Sequence, residues 1–121
     1  MHTVGVDIIE IARVEAALAR WGQRFLNRIY TAKEIRYCRG RVPELAARFA
    51  AKEAVMKALG TGTKGVGWRE IEVLPMRSGK PLVFLHGRAR RQAQKLGLED
   101  FAISLSHSRD FAVASVVSGF G

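Results

Sequence analysis

The stretch RFAAKEAVMKALG, residues 48–60, limits the possible folds more than any other part of this chain. It predicts a long helix, with Pro43 in the first turn and Gly60 at the end. At 100° per residue, small and apolar side chains surround Glu53 on the helix surface. A charge at the centre of an apolar face needs a partner or a metal ion, because burying an isolated charge is very costly.

Two interpretations of Glu53 follow from its neighbours. Lys57 lies four residues further on, in the orientation that favours an ion pair within the helix. Alternatively, Asp7 interrupts the apolar strand TVGVDII, residues 3–9, and a strand packed on the helix would bring both carboxylates together. Asp7 by itself is equally compatible with a cap on the helix that follows.

Two acids at one site repel each other unless a cation neutralises them. Mg²⁺ is typically held by one or two protein carboxylates together with phosphate oxygens and water. The predicted ligand set is therefore Asp7 and Glu53. The single cysteine, Cys38, and the three histidines lack the spacing of a zinc site, so any metal should be a hard, oxygen-liganded one.

The rest of the chain predicts a single α+β domain over residues 1–121, with a largely antiparallel sheet packed on the long central helix. The expected order is β-α-α-α-β-β-α-β-β, and the first strand is apolar enough to be buried. Thr31 and Glu34 form a capping box pattern at a short helix. Residues 60–67, GTGTKGVG, are expected to be a glycine-rich loop, either a flexible connection or a mobile border of a substrate site. The predicted elements after it are two strands joined by a turn at 77–80, a basic helix ended by Gly97, and a hairpin at 101–117.

Charge points to an anionic partner, since 20 Lys and Arg against 11 Asp and Glu give a net charge of +9. Arg13, Arg20 and Arg24 fall in one stripe along the first helix, if that helix resumes past Gly22. A basic nucleic-acid-binding module is the alternative to an enzyme, but such a module has no use for acids inside apolar patterns. No apolar run approaches a membrane span and no secretion signal is evident, so a soluble, cytoplasmic protein is expected.

Four segments, in this order, carry a resemblance to known proteins: GVDIIEIARV (5–14), RFAAKEAVMKALGTG (48–62), SGKP (78–81) and ISLSHSRDFAVASVV (103–117). Together they closely resemble the holo-acyl-carrier-protein synthase family of the 4′-phosphopantetheinyl transferase superfamily. The resemblance implies the fold of that superfamily and transfer of the 4′-phosphopantetheine arm of coenzyme A to a serine of apo acyl carrier protein. It also implies Mg²⁺ dependence, release of adenosine 3′,5′-bisphosphate, and a homotrimer with sites at the subunit interfaces.

The resemblance also implies roles for individual residues. Asp7 and Glu53 match the metal-binding acids, and Lys57 matches the lysine beside the coenzyme A phosphates. Arg48 and His107 match residues that hold the phosphates of the nucleotide. In the reaction, Lys57 would neutralise or protonate the leaving bisphosphate, and Glu53 would take the serine proton directly or through a metal-bound water.

Two further parts of the chain receive expected roles in the same way. Gly62 falls in the loop that borders the pantetheine and the nucleotide. The family docks the acidic carrier protein on its first helix, so the candidates for docking are Arg13, Arg20, Gln23, Arg24 and Phe25. Exposed charges of this kind mostly accelerate encounter and set specificity.

Overall fold

A computed structural model describes residues 1–120, and these form two antiparallel sheets and a set of helices around one long helix. The elements are β1 His2–Glu10, α1 Ile11–Trp21, α2 Gln23–Ile29, α3 Ala32–Cys38, α4 Val42–Leu59, α5 Gly62–Gly65, a 3₁₀ turn Trp68–Glu70, β2 Ile71–Pro75, β3 Pro81–Leu85, α6 Gly87–Leu96, β4 Leu98–His107 and β5 Phe111–Phe120. The α+β class, the antiparallel pairing and the central helix predicted from the sequence are confirmed.

The long helix α4 begins and ends where the sequence predicts. Pro43 lies in its first turn, and Gly60 follows its last residue in the left-handed conformation, with φ 73°. Both signals act on the backbone, since proline lacks the N–H that a first turn leaves unpaired and glycine tolerates positive φ. Most residues of α4 are buried, because the sheet covers one side and α3 with β2 covers the other.

The first sheet has the strand order β1-β5-β4, with every neighbouring pair antiparallel. Its inner face packs on α4, and β1 approaches the helix closely at Gly5. A Cβ atom on Gly5 would overlap the carbonyl oxygen of Ala54, so only glycine allows this approach. Thr3, two residues earlier on the same face, donates from its hydroxyl to the carbonyl of Ala58 at 2.8 Å. The strand therefore lies directly on the alanine-lined side of α4.

The outer face of the same sheet is apolar but uncovered by the chain. Val4, Val6 and Ile8 of β1 are 61%, 53% and 60% exposed, and Val117 of β5 is 41% exposed. The prediction of a buried first strand is thus met on one face only. Alternation explains the difference, because successive side chains of a strand point to opposite faces of the sheet.

The second sheet pairs β2 with β3, and residues 76–80 connect the two strands, with the predicted turn at 77–80. The segment REIEVLP, residues 69–75, predicts a strand from Arg69, but β2 begins at Ile71 because a 3₁₀ turn precedes it. The predicted capping box at the start of α3 is confirmed: Thr31 and Glu34 each accept a hydrogen bond from the other's backbone N–H.

Two helices differ from the sequence expectation. The chain turns at Gly22, with φ 54°, and continues as the separate helix α2, which carries Arg24 and Phe25. Within the predicted loop 60–67, residues Gly62–Gly65 form the single turn α5. Among the residues that the structure describes, no helix has both the length and the apolar character needed to cross a membrane.

Candidate active site

Asp7 and Glu53 lie side by side, although 46 positions separate them in the chain. Asp7 is on the face of β1 that packs on α4, two residues after the close approach at Gly5. Its carboxyl group is mostly buried, with 13% of the side chain exposed. Glu53 is half-buried on the side of α4 that faces β1. The predicted convergence of the two acids is present.

Burial and the neighbouring acid change the acidity of Glu53. Burial raises the pKa of Glu53 above its ordinary value, and the charge of Asp7 together with a hydrogen bond to its carboxyl group raises this pKa further. The positive charges of Lys57 and Arg13 act in the opposite direction and lower it. Glu53 is therefore a carboxyl group whose ionised form is disfavoured without additional positive charge.

Lys57 pairs with the strand acid. Its Nζ lies 2.9 Å from Oδ1 of Asp7 and 2.9 Å from the carbonyl oxygen of Val6, and its side chain is 56% exposed. The ion pair within α4 that the i, i+4 spacing allowed is thus replaced by an ion pair between α4 and β1. Asp7 does not cap the next helix either, since the residue at the N-cap of α1 is Glu10.

The donor set at this site suits a hard cation such as Mg²⁺. Both candidate ligands are carboxylates, and their mutual repulsion is what a divalent ion would relieve. Within residues 1–120, no group of three or more His, Cys, Asp or Glu side chains gathers in a way that could hold a metal ion. Two protein ligands would leave the remaining coordination positions to phosphate oxygens and water, as is common for Mg²⁺.

Gly62 and His107, the candidates for contacts with coenzyme A, are both exposed. Gly62 adopts φ 59° at the start of α5, and a Cβ atom there would point into open space. His107 is the last residue of β4, and pairing places it in one row with Ala112 and Ile9. That row is on the same face of the sheet as Asp7, with His107 two strands away, about 10 Å across the sheet.

Arg48 is on a different side of α4. It is 2% exposed, and its Nε donates to the carbonyl oxygen of Val73 in β2 at 3.0 Å. Its Nη1 forms an ion pair with Glu44 at 2.9 Å, and its guanidinium group lies 4.6 Å from the ring centre of Tyr37. These contacts engage the guanidinium group, and the one to Val73 connects α4 to β2. They do not test the phosphate-binding role that the resemblance gives to Arg48.

The candidate docking residues extend over α1 and α2. Arg13, Arg20, Gln23 and Arg24 are exposed and Phe25 is half-buried. Sequence reasoning missed Trp21, which is 48% exposed between two of these arginines: the guanidinium carbons of Arg20 and Arg24 lie 4.9 and 5.8 Å from its ring centre. Trp21 recurs at helical spacing with Ile11, Val14 and Leu18, a pattern that predicts the apolar face of the helix rather than an exposed ring beside arginines.

Comparison with known proteins gives consistent results. The sequence profile of the 4′-phosphopantetheinyl transferase superfamily matches residues 3–115. A holo-[acyl-carrier-protein] synthase of Herpetosiphon aurantiacus is 52% identical over 97% of this chain and 98% of its own. One of Dehalococcoides mccartyi is 54% identical over 98% of each chain. The crystal structure of Helicobacter pylori holo-[acyl-carrier-protein] synthase in complex with coenzyme A is 32% identical and has a TM-score of 0.87, covering 96% of this chain and 99% of that one.

Proposed function

The chain belongs to the 4′-phosphopantetheinyl transferase superfamily, and on that premise we propose that Asp7, Glu53 and Lys57 form its active site. The protein is an enzyme that transfers the 4′-phosphopantetheine group of coenzyme A to a serine of apo acyl carrier protein. The observation that supports the site most strongly is the convergence of Asp7 and Glu53 beside Lys57.

We propose that Asp7 and Glu53 together hold Mg²⁺. When bound there, the ion would supply positive charge to the oxygens of the coenzyme A diphosphate. The raised pKa of Glu53 supports the assignment, because the two carboxylates lack sufficient positive charge on their own. Lys57 already offers one positive charge to Asp7, and Arg13 is close enough to act on Glu53.

The reaction needs one proton acceptor and stabilisation of one leaving group. The serine Oγ bonds to the phosphorus of the phosphopantetheine group, and the bond from that phosphorus to the oxygen of adenosine 3′,5′-bisphosphate breaks. We assign the serine proton to the carboxylate of Glu53, which accepts it directly or through an intervening water. The exposed ammonium of Lys57 is placed to stabilise negative charge on the leaving bisphosphate.

We propose that Gly62 and His107 contact the nucleotide part of coenzyme A. Both residues are exposed, and a Cβ atom at Gly62 would meet only open space. Arg48 remains a prediction from the resemblance only. The cytoplasmic location is likewise a prediction from the sequence.

The acidic carrier protein is proposed to dock on α1 and α2. Arg13, Arg20 and Arg24 supply positive charge there, and Trp21 and Phe25 supply apolar surface. Arg13 connects this surface with the acids, because its charge lowers the pKa of Glu53. A carrier bound to α1 would therefore present its serine beside the proposed catalytic group.

A homotrimer is the assembly we propose. The outer face of the first sheet exposes Val4, Val6 and Ile8, and a contiguous apolar surface of this kind usually marks an interface. A second copy of the chain is the simplest cover for it, in keeping with the subunit-interface sites that the family resemblance implies. A chain of 121 residues is also small for a pocket that must hold coenzyme A.

The test is to incubate the protein with coenzyme A, Mg²⁺ and an apo acyl carrier protein, and to detect the pantetheine adduct by mass spectrometry. Asp7→Asn and Glu53→Gln should each slow adduct formation by about 10²-fold or more, since each removes a ligand and one removes the base. Arg91→Gln, on the exposed side of α6, is the matched control and should keep the parent rate. Full activity of both acid variants would refute the metal-site assignment.

A further inference from the structure

The open edge of β2 is covered by side chains where a sheet would have another strand. β2 pairs with β3 on one side, and Ile71 and Val73 direct their backbone groups to the other side. There the carbonyl of Val73 accepts from Arg48 at 3.0 Å, and its N–H donates to Oε2 of Glu34 at 2.8 Å. The carbonyl of Ile71 accepts from Nζ of Lys52 at 2.5 Å.

The spacing of these contacts matches a helix to a strand. Arg48 and Lys52 are four residues apart on α4, a rise of about 6.0 Å. The two carbonyls are two residues apart on β2, a distance of about 6.8 Å. One buried cation therefore meets each carbonyl that faces the helix.

Lys52 is the centre of this arrangement. Its side chain and that of Glu34 are both 0% exposed, and Nζ lies 2.7 Å from Oε1 of Glu34. It also donates to the carbonyls of Ile71 at 2.5 Å and Trp68 at 3.0 Å, so all three N–H groups of the ammonium are used. Lys52 thus connects α4 to α3, to β2 and to the 3₁₀ turn that directly follows the glycine-rich segment 60–67.

The other side of α4 sets how closely β1 approaches, through Gly5 at Ala54 and the hydrogen bond from Thr3 to the carbonyl of Ala58. The alanines on that side form no deep ridges that interlock with a neighbour. The direction in which α4 presents Glu53 is therefore also set from the opposite side. Lys52 directly precedes Glu53, and adjacent helical residues point about 100° apart, so fixing one fixes the other.

The same contact also ties down the glycine-rich segment 60–67. This segment leaves the end of α4 at Gly60 and returns at Trp68. Lys52 holds the backbone of Trp68, while Phe49, one turn before Glu53, stacks on its ring with centres 4.8 Å apart.

We propose that Lys52, held by Glu34, is a positioning residue that sets the rotation of α4 so that Glu53 faces Asp7. This inference rests on the proposed function, because it assigns Lys52 an effect on the site where Asp7 and Glu53 act. It differs from a purely structural role in one respect. If Lys52 only stabilised the fold, a variant with restored stability would have a normal site. If Lys52 positions Glu53, the site stays defective even when the variant is folded.

The decisive comparison uses a pair of substitutions. Lys52→Met alone leaves a buried, unpaired carboxylate, so loss of folding is expected. Lys52→Met/Glu34→Leu replaces the ion pair by apolar side chains of similar size and should regain part of the thermal stability, because no buried charge is left unpaired although backbone groups of Thr31, Trp68, Ile71 and Val73 lose their partners. In this folded double variant we expect kcat to fall by about tenfold or more, with KM for coenzyme A nearly unchanged, because the base is misplaced while the substrate surface is intact.

A second readout does not depend on turnover. Binding of Mn²⁺ alone, followed by electron paramagnetic resonance as a stand-in for Mg²⁺, should weaken by about tenfold in the double variant, since the acids no longer meet at one position. Parent values of kcat and Mn²⁺ affinity in the folded double variant would overturn the proposal. Absence of Mn²⁺ binding to the parent would overturn it too, together with the metal site, even where adduct formation is observed.

Two further variants complete the test. Glu34→Gln keeps the shape of the side chain, but its amide cannot accept from Lys52, Thr31 and Val73 at the same time, since one terminal atom becomes a donor. A fall in kcat and in Mn²⁺ affinity is expected, and unchanged values would contradict the proposal even if the double variant fails to fold. Leu98→Ala, at the buried start of β4, controls for loss of stability and should leave both quantities unchanged at temperatures where it is folded.

Discussion

The ammonium of Lys57 lies 2.9 Å from the carboxylate of Asp7, so a residue of the long helix neutralises an acid of the first strand. This contact joins two segments 50 residues apart in the chain. Burial, together with the charge of Asp7, raises the pKa of the neighbouring Glu53 above its ordinary value, and the charge of Lys57 offsets this rise only in part.

Removal of the Lys57 charge should impair transfer strongly. Lys57→Met is expected to lower kcat by about 10²-fold, because the leaving bisphosphate loses a cationic partner. It should also move the acid limb of the pH–rate profile to higher pH, since Lys57 lowers the pKa of Glu53. Lys57→Arg keeps the charge and should retain part of the activity. Steady-state rates over a pH series measure both effects, and a Lys57→Met rate within about twofold of the parent would contradict the assignment.

Glu53→Gln should stabilise the metal-free protein near neutral pH. A carboxyl group whose pKa is raised in the folded state costs stability as the pH rises through that pKa, because the unfolded chain ionises more readily. The amide removes this cost. The difference in thermal midpoint should therefore be present at pH 7–8 and vanish as the pH falls below the ordinary glutamate value of 4.5. Thermal unfolding of the parent and the variant across this range is the measurement, and a less stable variant at pH 7–8 would refute the electrostatic description.

Gly5→Ala should disturb both stability and the site. The added methyl group would overlap the carbonyl oxygen of Ala54, so β1 must move away from α4. A loss of about 2–3 kcal/mol in the free energy of unfolding is expected from such overpacking. Gly119→Ala is the matched control, since its Cβ would meet only the ring of His2 at 3.5 Å. Denaturant unfolding distinguishes the two, and equal effects would show that the close approach is unimportant.

Arg24→Glu should weaken use of the carrier protein specifically. KM for apo acyl carrier protein is expected to rise by about tenfold and to lose salt sensitivity, while KM for coenzyme A stays near the parent value. Charge reversal at Arg13, another candidate for docking, would address the same surface. The structure favours Arg24, because the charge of Arg13 also acts on Glu53. An equal rise in both KM values would count against a docking surface.

Val6→Lys should disrupt the proposed trimer. The side chain lies on the apolar outer face of the first sheet, 53% exposed in the single chain, and a buried ammonium there would lack a partner. Analytical ultracentrifugation should show smaller species than for the parent. Val117→Thr, at a less exposed position of the same face, should have a weaker effect. A parent that sediments as a monomer, or a Val6→Lys variant that remains a trimer, would exclude this surface as the interface.

Patterns of side chains in the sequence were sufficient to predict much of the site. The ends of the long helix follow from Pro43 and Gly60, and the convergence of Asp7 with Glu53 follows from charges that interrupt apolar patterns. The partner of Lys57 did not follow, because helix spacing favours Glu53, and the contact with Asp7 depends on how closely β1 approaches at Gly5.

The anchoring of α4 was not accessible from the sequence. Lys52 resembles an ordinary exposed lysine of a helix, and two of its three partners are backbone carbonyls, which carry no sequence signal. Its third partner, Glu34, was correctly predicted in the capping box. That role accounted for the carboxylate, so its ion pair with Lys52 was not expected. The exposure of the outer face of β1 could not be predicted either. A strand with apolar residues on both faces can be covered by its own chain or by another copy, and the sequence pattern is the same in both cases.

The side chains that cover the open edge of β2 also protect the protein from its own copies. An uncovered strand edge offers free N–H and C=O groups to any extended chain, and is a starting point for aggregation. Arg48, Lys52 and Glu34 occupy those groups at Ile71 and Val73. Substitutions among them therefore carry a solubility risk during expression that is separate from any loss of turnover, and soluble yield belongs beside rate in their characterisation.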